Sequence, residues 1–362
     1  MKVLHCINSL SMGGAERLVV DLALFLNKKN IEIDILILKG GESPLLEKLD
    51  PTTNIQVFCL TQKGSVYNPI HIFRLKKYFE KYDIVHVHLF PALYWSALTK
   101  FFGGKKNKLI FTEHSSNNTR RRYWLLKYID RKIYKRFDAI ITISKAVDKN
   151  LKKHLGKKFK SRIHLIYNGI DVNTILDAEG YSKTEIDNLP EEARVILQVS
   201  TFRYPKDQKT VISAMKLLPK YVFLLLVGDG NLKQDCEKHA KDLKVDDRVI
   251  FLGLRTDVPK LLKTSDFIVL SSYYEGLSLS SIEGMASGSP FLATNVPGLT
   301  EVVENAGLLF QPKDHHALAK LIISLLEDPI FYGETVHKCI NRAKEYDIDS
   351  MAVKYINLYN TL

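Results

Sequence analysis

The chain has 362 residues, of which 46% are hydrophobic and 25% are charged. This composition excludes a disordered or fibrous chain, and no apolar run reaches the roughly 18–20 residues that cross a bilayer. The net charge of +12 is uneven, because residues 1–170 carry 31 Lys and Arg against 13 Asp and Glu, whereas residues 171–362 carry 21 against 27. The basic first half predicts an anionic partner, such as a phosphorylated substrate, an anionic membrane surface or nucleic acid.

The cysteines and the start of the chain bear on the cellular compartment. Residues 1–10 become polar too quickly for a secretory signal. The four cysteines show no C-x-x-C spacing: Cys6, Cys59, Cys236 and Cys339. This pattern argues against a disulfide framework or a zinc site, and we expect a protein of the reducing cytoplasm.

Short apolar runs alternate with segments of helical period along most of the chain. A first series of strands is predicted at residues 3–7, 33–38, 84–87, 109–112 and 139–143, with helices between them such as 15–26 and 91–102. A second series is predicted at residues 195–199, 222–227, 249–252, 267–270 and 290–293. This alternation is typical of parallel α/β domains, and the polar, turn-rich residues 168–192 predict the connection between two of them. Such sheets bind ligands at the carboxyl ends of their strands, so functional residues are expected directly after strands.

The most informative motif is Tyr-Glu-Gly-Leu-Ser-Leu-Ser-Ser-Ile-Glu at residues 274–283, directly after a predicted strand. Glu275 is followed by a glycine turn, and seven residues separate it from Glu283, which lies in a predicted helix. Carboxylates at these two places could accept hydrogen bonds from sugar hydroxyls. The structural alternative is that Glu275 caps the helix and Glu283 is solvated.

The turn between the two glutamates is itself a candidate site. The N–H groups of Gly276, Leu277 and Ser278 would lie at a helix N-terminus. Unpaired donors and the helix dipole both favour negative charge there, so the turn predicts a site for a diphosphate.

With this motif the sequence resembles glycosyltransferase family 4, the glycosyl transferases group 1 enzymes, whose signature is E-x7-E. Other segments match the family in order: Gly13-Gly14-Ala15-Glu16, Thr112-Glu113-His114, Ile143-Ser144-Lys145, Asn168-Gly169-Ile170-Asp171, Gly228-Asp229-Gly230, Phe251-Leu252-Gly253 and Gly298-Leu299-Thr300-Glu301. The resemblance implies the GT-B fold, an α/β architecture of two Rossmann-like, doubly wound domains facing a central cleft. It also implies metal-independent transfer with retention of anomeric configuration.

The resemblance also implies the roles of the domains. Residues 1–168 would bind the acceptor, and residues 169–345 would bind the nucleotide sugar. The last helix, within residues 346–362, would cross back onto the first domain and dock through an apolar face that includes Met351 and Tyr355.

Residues 202–208, after a strand of the second series, are basic. By resemblance, a lysine and an arginine here bind the donor diphosphate. Lys206 matches the lysine, but the family's arginine would fall at Thr201. Either Arg203 takes its place, or Lys206 acts with less help. Cations suit this position because negative charge grows on the diphosphate as the glycosidic bond breaks.

Several glycine-containing turns are further donor-binding candidates. Gly13 and Gly14 lie between a strand and a helix, where they would admit a phosphate or simply form a tight turn. They do not complete a dinucleotide-binding loop, which argues against a dehydrogenase. The remaining candidates follow later strands, and their donor contacts are implied by the resemblance: Gly228, Gly230, Leu252 and Arg255.

His114 closes a predicted strand, and the resemblance places it beside the donor sugar and the acceptor. We therefore group it with Lys206 and Glu275 as catalytic candidates. His86 and His88 alternate on another strand and share a face. No further ligand of suitable spacing accompanies them, so we predict neither a metal nor another cofactor.

Residues 120–137 form a basic segment of helical period. Five of its residues can share an apolar face: Trp124, Leu125, Tyr128, Ile129 and Ile133. A face of this kind, flanked by cations, suits an anionic membrane surface, but it could equally pack on the sheet. Nucleic acid is the weaker partner, because no recognised binding fold accompanies the charge.

The resemblance thus implies a retaining glycosyltransferase that uses a nucleotide sugar, UDP being the commonest choice in the family. The predicted acceptor is a hydroxyl of a glycan or of a polyprenyl-diphosphate-linked oligosaccharide in cell-surface polysaccharide synthesis. We expect a cytoplasmic protein, peripheral on the inner face of the membrane. Two alternatives stay open: a nucleotide-sugar epimerase of the same architecture, and a non-catalytic protein that binds the membrane surface.

Overall fold

The structure is a computed structural model, and it describes residues 1–11, 13–49, 53–103, 107–115, 124–187 and 189–362. The chain divides into two compact units. The first comprises Met1–Gly169 with Ile348–Leu362, and the second comprises Ile170–Asp347.

The first unit is built on a seven-stranded sheet. Its strands are β1 (Lys2–Ile7), β2 (Glu32–Ile37), β3 (Val57–Cys59), β4 (Ile84–His88), β5 (Lys108–Glu113), β6 (Ala139–Thr142) and β7 (Ile163–Leu165). Its helices up to the second unit are α1 (Gly14–Lys28), α2 (Pro44–Glu47), α3 (His71–Phe79), α4 (Ala92–Gly103), α5 (Trp124–Tyr134) and α6 (Lys145–Leu155). All strand pairs are parallel, in the order β3-β2-β1-β4-β5-β6-β7. The strand order reverses between β1 and β4, and ligands bind at such a switch point in doubly wound sheets.

The second unit repeats the plan with six parallel strands in the order β10-β9-β8-β11-β12-β13. The strands are β8 (Arg194–Val199), β9 (Val222–Val227), β10 (Val249–Gly253), β11 (Phe267–Leu270), β12 (Phe291–Thr294) and β13 (Leu308–Phe310). The helices are α7 (Val172–Leu176), α8 (Gln208–Ala214), α9 (Lys233–Asp242), α10 (Val258–Thr264), α11 (Leu279–Ala286), α12 (Thr300–Val303), α13 (His315–Glu327) and α14 (Pro329–Lys344). Here the order reverses between β8 and β11, so the loops after these two strands lie side by side.

The last helix, α15 (Ile348–Thr361), belongs to the first unit and packs on α1. Met351 and Tyr355 are buried on its inner face, as is Tyr359. The predicted return of the chain end to the first domain is therefore confirmed, as is the predicted α/β architecture of two doubly wound sheets. Within the described residues, no helix is both long enough and apolar enough to cross a bilayer.

Three strands were not predicted from the sequence: β3, β7 and β13. Each has only three residues and lies at the edge of its sheet. Short edge strands pair on one side only and carry little periodic signal, so their positions depend on the strands beside them. The predicted connection also contains the short helix α7, which begins where the Asp171 carboxylate accepts a hydrogen bond from the Thr174 N–H.

Candidate active site

Two predicted residues meet at the switch point of the second sheet. Lys206 follows β8 and Glu275 follows β11, and the Lys206 ammonium forms an ion pair with the Glu275 carboxylate. Both side chains are largely enclosed, with 15% and 13% of their surface exposed. Main-chain hydrogen bonds join the two loops, since the Asp207 N–H donates to the Ser271 carbonyl (3.1 Å). The fold thus brings together a cation and an acid that are far apart in the sequence.

The loop that carries Lys206 is held firmly where α8 begins. The Asp207 carboxylate caps this helix, accepting hydrogen bonds from the Thr210 N–H (3.3 Å) and hydroxyl (2.6 Å). The Gln208 amide donates to the Ser200 hydroxyl (3.0 Å). Arg203, on the same loop, is exposed, and its side chain has no hydrogen bond or ion pair to the described residues. Its contact with a diphosphate stays a prediction.

Gly228 and Gly230 bring the loop after β9 against the loop after β8. Their φ angles are +134° and +152°. A Cβ at Gly228 would lie 2.1 Å from the Ser200 carbonyl oxygen, and one at Gly230 would lie 2.4 Å from that of Phe202. Both the backbone conformation and the close approach therefore require glycine. This packing accounts for the Gly-Asp-Gly motif, and its contact with a donor stays a prediction.

The predicted diphosphate site begins directly after Glu275. Ser278 is the N-cap of α11, and its side chain makes no capping hydrogen bond. In the described part of the chain, the N–H groups of Gly276, Leu277 and Ser278 donate to no acceptor. Three backbone donors and a helix N-terminus are consequently available beside the Lys206–Glu275 pair, an arrangement that can bind a diphosphate.

Glu283 lies in α11 and is buried, with 2% of its surface exposed. A small space lined partly by Val199 and Ile268 adjoins it. The next residue, Gly284, packs so closely that a Cβ would lie 2.5 Å from the Phe291 ring. Glu275 does not cap the helix and Glu283 is not solvated, so the structural alternative for the two acids is wrong. A contact between Glu283 and the donor ribose stays a prediction.

Arg255 is engaged within its own loop. Its Nε donates to Asp257 Oδ1 (2.8 Å) and its Nη2 to Oδ2 (2.5 Å), and the Tyr181 hydroxyl donates to the same carboxylate (2.6 Å). The hydrogen bonds from Arg255 hold the pKa of Asp257 well below its usual range. The half-buried Leu252 lies in β10. Donor contacts of Arg255 and Leu252 stay predictions.

Gly13 and Gly14 lie in the first unit, at the start of α1. Gly13 is the N-cap, with φ −120°, and a Cβ at Gly14 would meet no atom within 4 Å. Neither glycine has a positive φ, so a strained turn does not explain them. The preceding residue, Met12, lies outside the described residues. Approach of a phosphate to this loop stays a prediction.

His114, half-buried and directly after β5, joins three buried histidines of the adjacent strands β1 and β4. His88 Nδ1 hydrogen-bonds to His114 Nε2 (3.0 Å), and His88 Nε2 to His5 Nδ1 (3.1 Å). His86 Nδ1 hydrogen-bonds to the Tyr359 hydroxyl (2.6 Å). Sequence analysis missed His5 and Tyr359. A histidine inside the apolar β1 was the available signal, because a buried polar side chain needs a partner.

Burial governs the protonation of this histidine group. It lowers the pKa of His5 to about 3 and that of His114 to about 4, and it holds the pKa values of His86 and His88 well below normal. All four rings are therefore neutral at pH 7. Among the described residues, His5, His86 and His88 form a group that could hold a metal ion, because each offers a ring nitrogen and these nitrogens lie within 4.8 Å of one another. The same nitrogens form the hydrogen bonds given above.

The basic helix α5 does not present the predicted single stripe. Ile133 is buried in the core, whereas Tyr128 is 55% exposed and Ile129 is also exposed. The predicted face is therefore divided, because Ile133 packs in the core beside Tyr134 whereas Tyr128 and Ile129 meet solvent. The residues 120–123 and the side chains of Trp124 and Leu125 lie outside the described part of the chain.

Exposed aromatic side chains nevertheless gather around α5. Phe101 and Phe102 of α4 are 55% and 65% exposed, and their rings lie against each other. Helix α4 packs against both α3 and α5. The Lys132 ammonium lies 4.6 Å from the Tyr128 ring centre, and the Arg136 guanidinium lies 4.5 Å from that of Phe101. We call this surface the aromatic–basic patch: Phe101, Phe102, Tyr128, Lys132 and Arg136.

Comparison with known proteins places the chain in a family. Residues 12–174 match the family described as Glycosyltransferase Family 4, and residues 182–346 match Glycosyl transferases group 1. The two matches together span nearly the whole chain. The chain therefore belongs to the GT-B glycosyltransferases of these families.

Individual relatives agree with this assignment. The N-acetyl-alpha-D-glucosaminyl L-malate synthase of Bacillus anthracis is 29% identical over 78% of this chain and 74% of its own length. The UDP-Gal:alpha-D-GlcNAc-diphosphoundecaprenol alpha-1,3-galactosyltransferase of Escherichia coli is 26% identical over 98% of both chains. The crystal structure of Anabaena HepE in complex with UDP and glucose superposes with a TM-score of 0.86, at 21% identity and full coverage of both chains. This last likeness establishes the fold.

Proposed function

We propose that the chain transfers a sugar, with retention, from a UDP-sugar to a hydroxyl of a glycan or lipid-linked oligosaccharide in cell-surface polysaccharide synthesis. The observation that carries this proposal is the arrangement at the β8/β11 switch point. There a lysine, an acid and three backbone N–H donors lie together. The acid suits the sugar of an extended nucleotide sugar, and the lysine and N–H donors suit its diphosphate.

In the proposed mechanism, Lys206 exchanges its contact with Glu275 for the donor diphosphate. The N–H groups of Gly276 to Ser278 hold the diphosphate from the other side, and Glu275 accepts hydrogen bonds from the sugar hydroxyls. Glu283 would hold the ribose. The lysine and the N–H dipoles stabilise the negative charge that develops on the leaving group.

The bond changes balance without a further reactant. The acceptor oxygen forms a bond to the anomeric carbon while the bond from that carbon to the diphosphate oxygen breaks. Attack comes from the face that the diphosphate leaves, and the departing diphosphate takes the acceptor proton. No metal is part of this proposal, because Lys206 and the backbone donors supply the positive charge.

The relatives support the choice of donor and acceptor. The E. coli relative uses UDP-Gal and a diphosphoundecaprenol-linked sugar, according to its name, and HepE was crystallised with UDP. We propose that the first unit receives the acceptor and the second the donor. We further propose that this cytoplasmic enzyme lies peripherally on an anionic membrane through the aromatic–basic patch, whose rings and cations suit a headgroup layer.

The test begins with a screen of nucleotide sugars for slow hydrolysis, which needs no acceptor, in buffer with and without EDTA. The best donor is then offered with malate, a soluble glycan or a diphosphoundecaprenol-linked sugar. We expect UDP release that rises with the lipid-linked acceptor and persists in EDTA. NMR of the product should show the same anomeric configuration as the donor sugar.

Other outcomes identify the alternatives. Interconversion of nucleotide sugars without any acceptor would indicate an epimerase. Binding to anionic vesicles without turnover of any donor would indicate a non-catalytic membrane-binding protein. An inverted anomer or loss of activity in EDTA would overturn the retaining or the metal-independent part of the proposal.

A further inference from the structure

One continuous path of hydrogen bonds in the first unit begins in β5, passes through β4, α15 and β1, and returns to the residue directly after β5. It joins, in order, Thr112, His86, Tyr359, His5, His88 and His114. The successive distances are 2.7, 2.6, 3.4, 3.1 and 3.0 Å. All of its members except the terminal His114 are buried. The C-terminal helix α15 contributes one member, Tyr359, at the middle of the path.

A neutral imidazole has one N–H and one nitrogen that can only accept. A ring that hydrogen-bonds through both nitrogens therefore donates to one neighbour and accepts from the other. The rings of His5, His86 and His88 all use both nitrogens in this way. The direction of one hydrogen bond consequently determines the tautomers of all the rings that follow it.

Tyr359 connects the two halves of this path. Its hydroxyl can accept from one histidine and donate to the other, which transmits the direction. If it accepted from both, its own proton would have no partner in the path, and an unpaired buried donor is unfavourable. The burial that lowers the histidine pKa values also keeps every ring neutral, as the coupling requires.

We propose that Tyr359 is a positioning residue that holds His114 in a single tautomer. If the hydrogen bonds run from Thr112 towards His114, then His114 Nε2 accepts and its Nδ1 carries the proton. If they run the other way, Nε2 donates and Nδ1 presents a lone pair that can accept a hydrogen bond from a hydroxyl. The catalytic use of that nitrogen rests on the proposed function, whereas the tautomer itself does not.

Nitrogen-15 NMR of the histidine rings tests the tautomer directly, in the full chain with Tyr359→Phe. The matched control is Tyr82→Phe, since Tyr82 is buried in the same unit and its hydroxyl donates to Asp34 (2.6 Å), which is not a member of the path. We expect one His114 tautomer in the parent protein and in Tyr82→Phe, and a mixture of two in Tyr359→Phe. A single unchanged tautomer in Tyr359→Phe, or a mixture in the parent protein, would overturn the proposal.

Two further measurements complete the test. Stoichiometric metal in the purified protein, with ring nitrogens shifted by coordination, would also overturn it. If Tyr359→Phe does not fold, Thr112→Val removes the hydroxyl at the other end of the path, and the same mixture of His114 tautomers is expected.

Activity then separates this inference from the proposed function. If only one tautomer of His114 is productive, kcat falls in proportion to its population, and we expect a kcat lower by roughly twofold or more in Tyr359→Phe with the donor KM unchanged. Tyr82→Phe should keep the parent kcat. A changed tautomer with parent kcat would refute the positioning role, while absence of turnover with any donor in the parent protein would refute the proposed function and leave the tautomer result standing.

Discussion

The ammonium of Lys206 contacts the carboxylate of Glu275 although the two residues are 69 positions apart. Each occupies the first loop beyond one of the two strands that flank the switch point of the second sheet. In this pairing each charge satisfies the other in a largely enclosed setting. A donor diphosphate would therefore have to replace Glu275 as the partner of Lys206, and this exchange leads to two predictions.

Replacing Lys206 by Met removes the cation that would face the leaving diphosphate. Loss of one preorganised donor to a developing charge lowers kcat by roughly 10²–10³, and we expect a decrease of that size in UDP release with donor and acceptor. Arg203→Met is the control on the same loop. Arg203 is exposed. If kcat falls in Lys206→Met but not in Arg203→Met, Lys206 acts on the leaving diphosphate without Arg203. Parent activity in Lys206→Met would contradict the mechanism.

Glu275→Gln should separate nucleotide binding from sugar transfer. The change keeps the shape of the side chain but removes the charge that holds Lys206. We expect UDP alone to bind at least as tightly as it does to the parent protein, measured by calorimetry, because Lys206 is then available to the diphosphate. Transfer should fall, since the sugar loses a charged acceptor for its hydroxyls. Weaker UDP binding, like that expected of Lys206→Met, would argue against the exchange.

Gly298 packs against the backbone of Glu275, so replacing Gly298 tests whether the position of the Glu275 loop matters. The φ angle of Gly298 is +90°, and a Cβ there would lie 2.3 Å from the Glu275 carbonyl oxygen. Gly298→Ala should therefore displace the Glu275 loop and lower both turnover and the melting temperature. Gly288→Ala is matched in φ, also +90°, but meets only the Lys263 side chain at 3.5 Å. It should cost only the backbone strain of about 1–2 kcal/mol and leave turnover intact. Equal turnover in both variants would show that the loop position is unimportant.

The buried histidines predict a loss of stability in mild acid. Their pKa values are lowered on folding, to about 4 for His114 and about 3 for His5, so below the unfolded value of about 6.5 the unfolded chain binds more protons. The free energy of unfolding should then fall with decreasing pH from about 6.5 to about 4, by at most about 1.4 kcal/mol per pH unit for each buried histidine. Urea unfolding at several pH values measures this slope.

His114→Gln provides the control for the acid prediction. It removes one of the titrating rings at the partly exposed end of the group, so the slope below pH 6.5 should become smaller. The Asp257 carboxylate, whose pKa is also lowered, loses its stabilising charge only below its ordinary pKa of 3.8 and does not interfere in this window. A stability that is constant between pH 6.5 and 4.5 would contradict the prediction.

The aromatic–basic patch predicts association with anionic lipid. Phe102→Ser combined with Arg136→Gln should reduce sedimentation with vesicles that contain anionic lipid, most strongly at low salt, where exposed charges are least screened. Ile330→Ser removes an even more exposed apolar side chain, 76% exposed, in the second unit, and should have no effect. Equal binding of the parent protein to neutral and anionic vesicles at low salt would exclude the electrostatic part of this proposal.

Much of this protein could be read from local patterns. Strands such as β9 and β11 matched their predicted bounds, because a strand buried on both faces is an uninterrupted apolar run between turn residues. The strand-end positions of Lys206 and Glu275 marked them as candidates, because functional loops follow strands in parallel sheets, whereas the role predicted for Lys206 came from the family resemblance. The apolar face assigned to α5 is divided between core and solvent, since helical period alone does not say how much of a helix face meets the sheet.

The sequence by itself determined the alternation of strands and helices, the division into two doubly wound units and the strand-end positions of the candidate residues, because these follow from short-range periodicity and turn chemistry. Only the tertiary structure decided which side chains meet. The Lys206–Glu275 pair depends on β8 and β11 being neighbours, and the hydrogen-bonded path from Thr112 to His114 depends on α15 returning from the far end of the chain. Contacts between residues so distant in sequence arise from strand order and helix docking, which no local pattern contains.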